Sequence, residues 1–201
     1  MSNTILTGKA AADILAAMQK AGLNGWEMFV PEGVEEIAPG AFAGMKNLRR
    51  VQLPKTLRRI GAAAFYGCEN LTQITLPAGL VELGTAAFKN SGLQEVSVPT
   101  RALKLGCEVF ADSALRCAEI KGRQTGEAMF RGCRQLTKLQ LNSNTRKIEA
   151  GMFRDCAALK TLRLPEKLEQ IGIEAFAGCG ALERLSIPES VREIGEGAFR
   201  G

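Results

Sequence analysis

The chain has 201 residues, 46% of them apolar and 23% charged, with a formal net charge of +5. This length and composition suffice for one domain with a continuous core, and no apolar run approaches the roughly 18 residues that span a bilayer. The sequence contains no histidine, which excludes Ser/His/Asp and Cys/His catalytic arrangements and histidine-containing zinc sites. Neither a nucleotide-binding glycine motif nor a Cys-x-x-Cys pair is present, so we expect no enzyme activity, no cofactor and no metal.

The N-terminal segment is predicted to contain one amphipathic helix, over residues 8 to 21. Its apolar residues recur at helical spacing: Ala11, Ile14, Leu15 and Met18. Gly22 stands where the helix is expected to stop. We expect residues 1–24 to cap the domain that follows, with Trp26 closing the same end. A helix that binds a membrane surface or a partner is the alternative, although the segment carries only two basic residues.

From residue 25 to residue 201 the sequence is an internal repeat marked by phenylalanine. Eight phenylalanines recur at intervals of 20 to 23 residues: Phe42, Phe65, Phe88, Phe110, Phe130, Phe153, Phe176 and Phe199. A unit of this length cannot build a core of its own and must bury its apolar face against its neighbours. We therefore predict an elongated solenoid of about eight repeats over residues 25–201, with the phenylalanines buried in a row.

Each repeat contains a short predicted strand. In one unit, Leu71, Ile74 and Leu76 have the L-x-x-I-x-L spacing that places two apolar side chains on one face of a strand, with a third preceding them. The equivalent triplets are Gly25/Met28/Val30, Leu48/Val51/Leu53, Leu93/Val96/Val98, Leu115/Ala118/Ile120, Leu136/Leu139/Leu141, Leu159/Leu162/Leu164 and Leu182/Leu185/Ile187. Proline follows most of these strands and ends the ladder of hydrogen bonds. We expect the strands to stack as a parallel sheet, about 4.8 Å apart.

Glycine stands four residues before phenylalanine in six repeats: Gly61, Gly84, Gly106, Gly126, Gly172 and Gly195. This position predicts either a tight bend with positive φ or a close approach of neighbouring coils. Ala38 and Glu149 break the rule. One repeat is also shorter than the others, since its segment 121–126 lacks two residues and the proline. We expect a local irregularity of the stack there.

Four of the six cysteines are interpreted as packing residues rather than as disulfides. These four share one repeat position and are expected to form a column of small buried side chains: Cys68, Cys133, Cys156 and Cys179. Buried thiols behave as small hydrophobic groups, and three of these cysteines lie in consecutive repeats, so they could not all pair. Ser91 and Ser113 replace cysteine in two repeats. Cys117 is predicted on the exposed face of the sheet, where its role is left open.

The run Ala64-Phe65-Tyr66-Gly67-Cys68, followed by the strand triplet and proline, resembles the BspA-type leucine-rich repeats. A second clear copy is Ala175-Phe176-Ala177-Gly178-Cys179, and the resemblance covers about residues 25–201. It implies an α/β repeat fold: a right-handed, curved solenoid with a parallel β-sheet on the concave face, short turns or 3-10 segments on the convex face, and an N-terminal capping helix. The family occurs chiefly in bacterial and protist surface proteins. The resemblance implies protein recognition and adhesion rather than catalysis.

The first residues do not identify the cell compartment of the protein. The segment Met1 to Leu6 lacks the basic start and apolar run of a signal peptide. Because members of the family are often secreted, we expect either a cytoplasmic relative or a protein whose export signal lies outside this sequence.

Strand alternation predicts which side chains share the concave face. The candidate partner-binding residues on it are Arg50, Gln73, Glu95, Glu119, Lys138, Arg163 and Arg184. The last three are basic and lie in adjacent C-terminal repeats, where together they could attract an acidic segment of a protein partner. The alternative is a solvated sheet face with scattered charge.

Three other kinds of association are alternatives to a protein partner: binding of nucleic acid, insertion into a membrane and self-association. The positive charge allows weak, salt-sensitive binding of polyanions, but the basic stripe with aromatic platforms that specific nucleic-acid binding needs is absent. No segment is expected to insert into a membrane. The sequence stops at Phe199-Arg200-Gly201, in the middle of a repeat. Either further repeats follow, or an unusual turn or a second copy covers the open coil, and end-to-end self-association is the alternative function.

Overall fold

The repeats fold into coils that stack along one axis, and a regular coil has three sides. The computed structural model describes residues 4–20 and 27–201. In chain order the elements are β1 (Thr4–Leu6), α1 (Gly8–Lys20), β2 (Glu27–Phe29), β3 (Val34–Ile37), β4 (Arg50–Gln52), β5 (Arg59–Ile60), β6 (Gln73–Ile74), β7 (Glu82–Leu83), β8 (Glu95–Val98), β9 (Lys104–Leu105), β10 (Cys117–Ile120), β11 (Lys138–Gln140), β12 (Lys147–Ile148), β13 (Gln170–Ile171) and β14 (Glu193–Ile194). Every strand pair among the described residues is parallel. The predicted parallel-strand solenoid with a helix at its N-terminus is confirmed.

Two strand ladders form two sides of the coil. The first ladder comprises the sheets β2-β4-β6 and β8-β10-β11, which the strand triplets predict. The second ladder follows it within each repeat and comprises the sheets β1-β3-β5-β7-β9 and β12-β13-β14. The second ladder is not predicted, because most of its strands have only two residues and show no alternating pattern.

The third side of the coil is a turn that carries the phenylalanine. Neighbouring rings from Phe42 to Phe199 stack with their centroids 4.8 to 6.0 Å apart. Seven of the eight rings are buried, whereas Phe199 is 42% exposed. The backbone of this side also joins successive coils, since the N–H of Phe65 donates to the carbonyl oxygen of Ala87 at 2.8 Å, and the equivalent bond recurs along the stack. The predicted phenylalanine row is confirmed.

The glycine four residues before each phenylalanine is required by close approach and not by positive φ. A Cβ added to Gly84 would lie 2.4 Å from the backbone nitrogen of Ala62 in the preceding coil, and neither this glycine nor its five equivalents has positive φ. At the two positions without glycine, the preceding coil is not a regular one. Strand β1 precedes the coil of Ala38, and the shortened repeat precedes the coil of Glu149.

Positive φ occurs instead on both sides of each phenylalanine. The residues two before and two after it have left-handed backbone conformations: Gly40, Gly44, Ala63, Gly67, Ala86, Asn90, Glu108, Asp112, Ala128, Gly132, Gly151, Asp155, Glu174, Gly178 and Gly197. Since a non-glycine residue in this conformation costs on the order of 1 kcal/mol, the turn side stores strain that the stacked rings and hydrogen bonds must offset.

The four cysteines that share a repeat position form the predicted buried column. All four are free and buried, and each Sγ donates a hydrogen bond of 3.0 to 3.1 Å to the carbonyl oxygen of a phenylalanine in the preceding coil. Burial raises the pKa of the Cys68 thiol to about 12. It also raises the pKa values of Cys133 and Cys179 to about 11 and that of Cys156 further. These thiols are therefore neutral packing groups.

The shortened repeat interrupts only the second ladder. Within the described residues, that ladder stops at β9 and resumes at β12, and residues 121–126 between them form no strand. The first ladder passes through the same repeat in register, with Cys117 opposite Glu95 on one side and Lys138 on the other. The expected irregularity is therefore present, but it leaves the concave sheet face intact.

The N-terminal segment packs on the first coil through both of its elements. Strand β1 pairs with β3 and extends the second ladder, a contact that the sequence does not predict. In α1, Ala11 is fully buried and Ile14 packs against the core, so the predicted helix is confirmed. The side chains of Leu15 and Met18, and the whole of Gly22 and Trp26, lie outside the described residues. No helix in the described part of the chain is long and apolar enough to cross a membrane.

Candidate interaction surface

The outward side chains of the first ladder form two rows across the strands. We call the row that holds the first outward residue of each strand row A; it contains Glu27, Arg50, Gln73, Glu95, Cys117, Lys138, Thr161 and Arg184. Row B lies two residues later in each strand and contains Phe29, Gln52, Thr75, Ser97, Glu119, Gln140, Arg163 and Ser186. All seven candidate partner-binding residues lie in these rows, so they share one face of the molecule, and their role in binding stays a prediction.

The N-terminal part of row A is occupied by internal contacts. The guanidinium group of Arg50 lies 3.2 Å from a carboxylate oxygen of Glu27 and donates a hydrogen bond of 2.8 Å to Gln73. Because Arg50 is bonded on both sides, it is less available to a partner than a free cation.

The centre of the face carries two carboxylates with different surroundings. Glu119 accepts a hydrogen bond of 2.8 Å from Ser97 and lies 3.5 Å from the ammonium group of Lys121. Glu95 is exposed, and among the described residues it has no cation partner. The negative charge that faces solvent is therefore concentrated at Glu95.

The C-terminal part of the face carries three cations that have no ionic partner in the part of the chain that the structure describes. Lys138, Arg163 and Arg184 are exposed, and within residues 4–20 and 27–201 none of them forms an ion pair with a carboxylate. Lys138 lies opposite Cys117, and Arg184 lies opposite Thr161. Arg163 belongs to row B, so the three cations surround Thr161 rather than forming a line.

Charged residues of the second ladder form ion pairs across neighbouring strands. In its N-terminal sheet the outward residues of β3, β5, β7 and β9 alternate in sign, and Arg59 lies 2.8 Å from Glu36 while Lys104 lies 3.9 Å from Glu82. Cross-strand pairs of opposite charge stabilise a sheet by a few tenths of a kcal/mol to about 1 kcal/mol each. The charges of the second ladder therefore support the stack, whereas those at the C-terminal end of the first ladder do not.

A shallow groove of about 1100 Å³ runs over the middle of the first ladder. It extends from Thr75 to Arg163 and is lined by Glu95, Lys138 and Gln140 among others. Its lining mixes polar and apolar side chains and is open to solvent, which suits a segment of a partner protein better than a small apolar ligand.

Cys117 lies in the groove and is partly exposed. It has Glu95 and Lys138 as its cross-strand neighbours, and no histidine exists in the chain to serve as its base. Among the described residues, no group of three or more cysteine, aspartate or glutamate side chains is arranged to hold a metal ion.

The comparisons with known proteins agree with this architecture. A leucine-rich repeat protein from Bacteroides ovatus is 27% identical, with a TM-score of 0.75, and the match covers 86% of this chain and 46% of that protein. One from Eubacterium ventriosum is 26% identical, with a TM-score of 0.64, and the match covers 88% of this chain and 42% of that protein. The leucine-rich repeat protein of T. pallidum is 31% identical, with a TM-score of 0.59 over 85% of this chain and 73% of that protein.

No match was found among curated proteins. The chain spans less than half of the Bacteroides and Eubacterium proteins that it resembles. The family model for the BspA-type leucine-rich repeat region, in six copies, matches residues 22–125 and 118–201. The chain therefore belongs to the BspA-type leucine-rich repeat family.

Proposed function

We propose that this chain is a non-catalytic protein-interaction module, of the adhesive kind implied by its family, and that it binds its partner on the concave face of the first ladder. The observation that carries the proposal is the contrast between the two ladders. Charges on the second ladder pair with each other, whereas Glu95, Lys138, Arg163 and Arg184 on the first have no ionic partner among the described residues.

The physical case rests on electrostatic complementarity. Unpaired charges on an open face are hydrated and contribute little to the stability of the fold. They do raise the local concentration of an oppositely charged partner and orient it as it arrives. A groove with an anionic centre and a cationic C-terminal part therefore favours a partner segment with the reverse charge pattern.

A displayed library of random peptides tests this proposal. The unmodified chain and the triple variant Lys138→Glu, Arg163→Glu, Arg184→Glu are used as baits, and the selected peptides are sequenced. We expect the unmodified chain to enrich peptides with acidic residues and the variant to lose them, because charge reversal turns attraction into repulsion.

The matched control reverses three exposed arginines outside the concave face: Arg101, Arg134 and Arg192. This variant has the same net charge as the first one, so a loss caused only by net charge would appear in both. If both triple variants select the same peptides as the unmodified chain, the concave face is not the binding surface.

Self-assembly is the second candidate function, and one observation favours it. The C-terminal coil exposes three large apolar side chains, since Ile187 is 44%, Ile194 is 49% and Phe199 is 42% exposed. Apolar groups at the end of a stack favour association with a second copy. Sedimentation velocity over a wide concentration range tests this, and a species that stays monomeric throughout excludes it.

A further inference from the structure

The three charges of row A that have no ionic partner among the described residues lie on alternate coils. Cys117 pairs with Glu95 on one side and with Lys138 on the other, and Thr161, which pairs with Arg184, lies on the coil between those of Lys138 and Arg184. Neighbouring strands lie about 4.8 Å apart, so each interval between charges is about 10 Å. The row therefore presents one anion and then two cations at equal steps.

This interval between the charges matches the polyproline II conformation better than a β-strand or an α-helix. A polyproline II segment rises about 3.1 Å per residue with three residues per turn, so every third side chain faces the same way at intervals of about 9.3 Å. A β-strand repeats its facing side chains at about 6.8 Å. An α-helix returns to one face after seven residues, at about 10.5 Å, and over two intervals it overshoots the row by about 2 Å.

The residues between the charges also suit an extended ligand. Cys117 and Thr161 are small and leave space between the larger charged side chains of row A. Gln140 and Thr161 present an amide and a hydroxyl to the groove. Such groups can bond the backbone of a polyproline II segment, which has no internal hydrogen bonds.

We infer that the concave face of the first ladder binds an extended protein segment that lies across the strands in polyproline II conformation, with a Lys or Arg over Glu95 and an Asp or Glu over each of Lys138 and Arg184. The three side chains belong to residues i, i+3 and i+6 of the segment, which can run in either direction across the strands. Arg163, in row B, contacts the carboxylate over Lys138, which is the middle one of the three charged side chains. This inference rests on the proposed function, because it specifies the partner of the same face.

Synthetic peptides that differ only in spacing test the inference. Three fluorescein-labelled peptides each carry one Lys and two Asp: a Pro/Ala peptide with charges at intervals of three residues, one with intervals of two, and an Ala-rich helical peptide with intervals of seven. Their affinities for the full chain are measured by fluorescence anisotropy at low ionic strength, where charge contacts are least screened. We expect the interval-three peptide to bind at least about tenfold tighter than the other two.

Exchanging the charges of one contact between the chain and the peptide distinguishes direct contact from misfolding of the variant. The variant Glu95→Lys should weaken the interval-three peptide, and a peptide whose Lys is replaced by Asp should bind this variant more tightly than it binds the unmodified chain. A misfolded variant would bind neither peptide, so recovery of affinity identifies direct contact.

Each remaining outcome overturns the inference. If acidic peptides of all spacings bind equally and reversal of the three cations abolishes their binding, the spacing rule is wrong while the proposed function stands. If the helical peptide binds most tightly, the partner is a helix. If none of the peptides binds, the inference fails, and the displayed library separately decides whether the concave face binds proteins.

Discussion

The thiol of Cys68 donates a hydrogen bond of 3.1 Å to the carbonyl oxygen of Phe42, which lies 26 residues earlier in the chain. This contact joins the cysteine column to the phenylalanine row, because each cysteine reaches the backbone of the ring in the preceding coil. Two recurring features of the repeat sequence are therefore one structural unit, in which a small donor satisfies a buried carbonyl between stacked rings.

The two serines in this column provide the first prediction. Ser113 donates to the carbonyl oxygen of Phe110 at 2.7 Å, whereas the hydroxyl of Ser91 is buried and has no hydrogen-bond partner among the described residues. Ser91→Cys should stabilise the fold by about 1 kcal/mol, because it removes an unsatisfied hydroxyl and supplies the longer side chain that reaches the phenylalanine carbonyl elsewhere. Urea unfolding measures the change. Ser113→Cys is the matched control and should give no comparable gain.

A clash of backbones provides the second prediction. Gly84→Ala places a methyl group 2.4 to 2.8 Å from backbone atoms of Gly61 and Ala62, which cannot move without separating the coils. We expect a loss of about 3 kcal/mol or more in the free energy of unfolding. Gly79→Ala is the control, since its methyl group would clash only with the guanidinium end of the flexible Arg58 side chain, and the backbone oxygen of Lys55 would lie at an ordinary contact distance of 3.6 Å. Equal losses for the two variants would contradict the role of close approach.

The position of a ring in the stack provides the third prediction. Phe110 is fully buried between Phe88 and Phe130, so Phe110→Ala should cost about 3 to 5 kcal/mol. Phe199→Ala should cost clearly less, because that ring has one neighbour and is 42% exposed. Thermal unfolding followed by circular dichroism distinguishes the two, and similar midpoints for both variants would show that the rings do not act as a stack.

A charge network on the turn side provides the fourth prediction. Glu108 accepts a hydrogen bond of 2.8 Å from Lys89 and lies 3.2 Å from Arg131. The hydrogen bond from Lys89 lowers the pKa of the Glu108 carboxyl below its usual value of 4.5. Because the folded-state pKa is the lower one, the ionised carboxylate stabilises the fold above pH 4.5, and this contribution is lost as the pH falls through the folded-state pKa.

Glu108→Gln should therefore be less stable than the unmodified chain at neutral pH by at most about 1 kcal/mol, since the network is partly exposed. The difference should shrink on acidification, and urea unfolding at a series of pH values measures it. A difference that is the same at neutral and acidic pH would show that the carboxylate charge is not responsible.

Thiol accessibility provides the fifth prediction. Cys107 is exposed and Cys117 partly exposed, whereas the other four cysteines are buried. A maleimide should label these two in the native protein and all six after unfolding. Desolvation, with the nearby carboxylate of Glu127, raises the pKa of the Cys107 thiol, so its labelling should accelerate as the pH rises. Rapid native labelling at any of the four buried cysteines, located by peptide mass mapping, would contradict the closed stack.

The repeat in the sequence is enough to predict the coil and its buried residues. Phe65 and the triplet of Leu71, Ile74 and Leu76 repeat because every coil buries the same positions against its neighbours, so a single unit predicts the next. Strand alternation likewise placed the outward residues on one face. The second ladder could not be predicted from the sequence, because a two-residue strand such as Arg59–Ile60 is too short to show an alternating pattern.

Which charges have an ionic partner depends on how the coils stack. Arg50 and Lys138 occupy equivalent positions in the repeat, and their local sequences do not distinguish them. Stacking places Arg50 between Glu27 and Gln73, whereas it places Lys138 opposite Cys117. The partners of Arg50 come from neighbouring coils, about one repeat away in the chain, so its pairing depends on the register of the stack and not on the residue's own repeat.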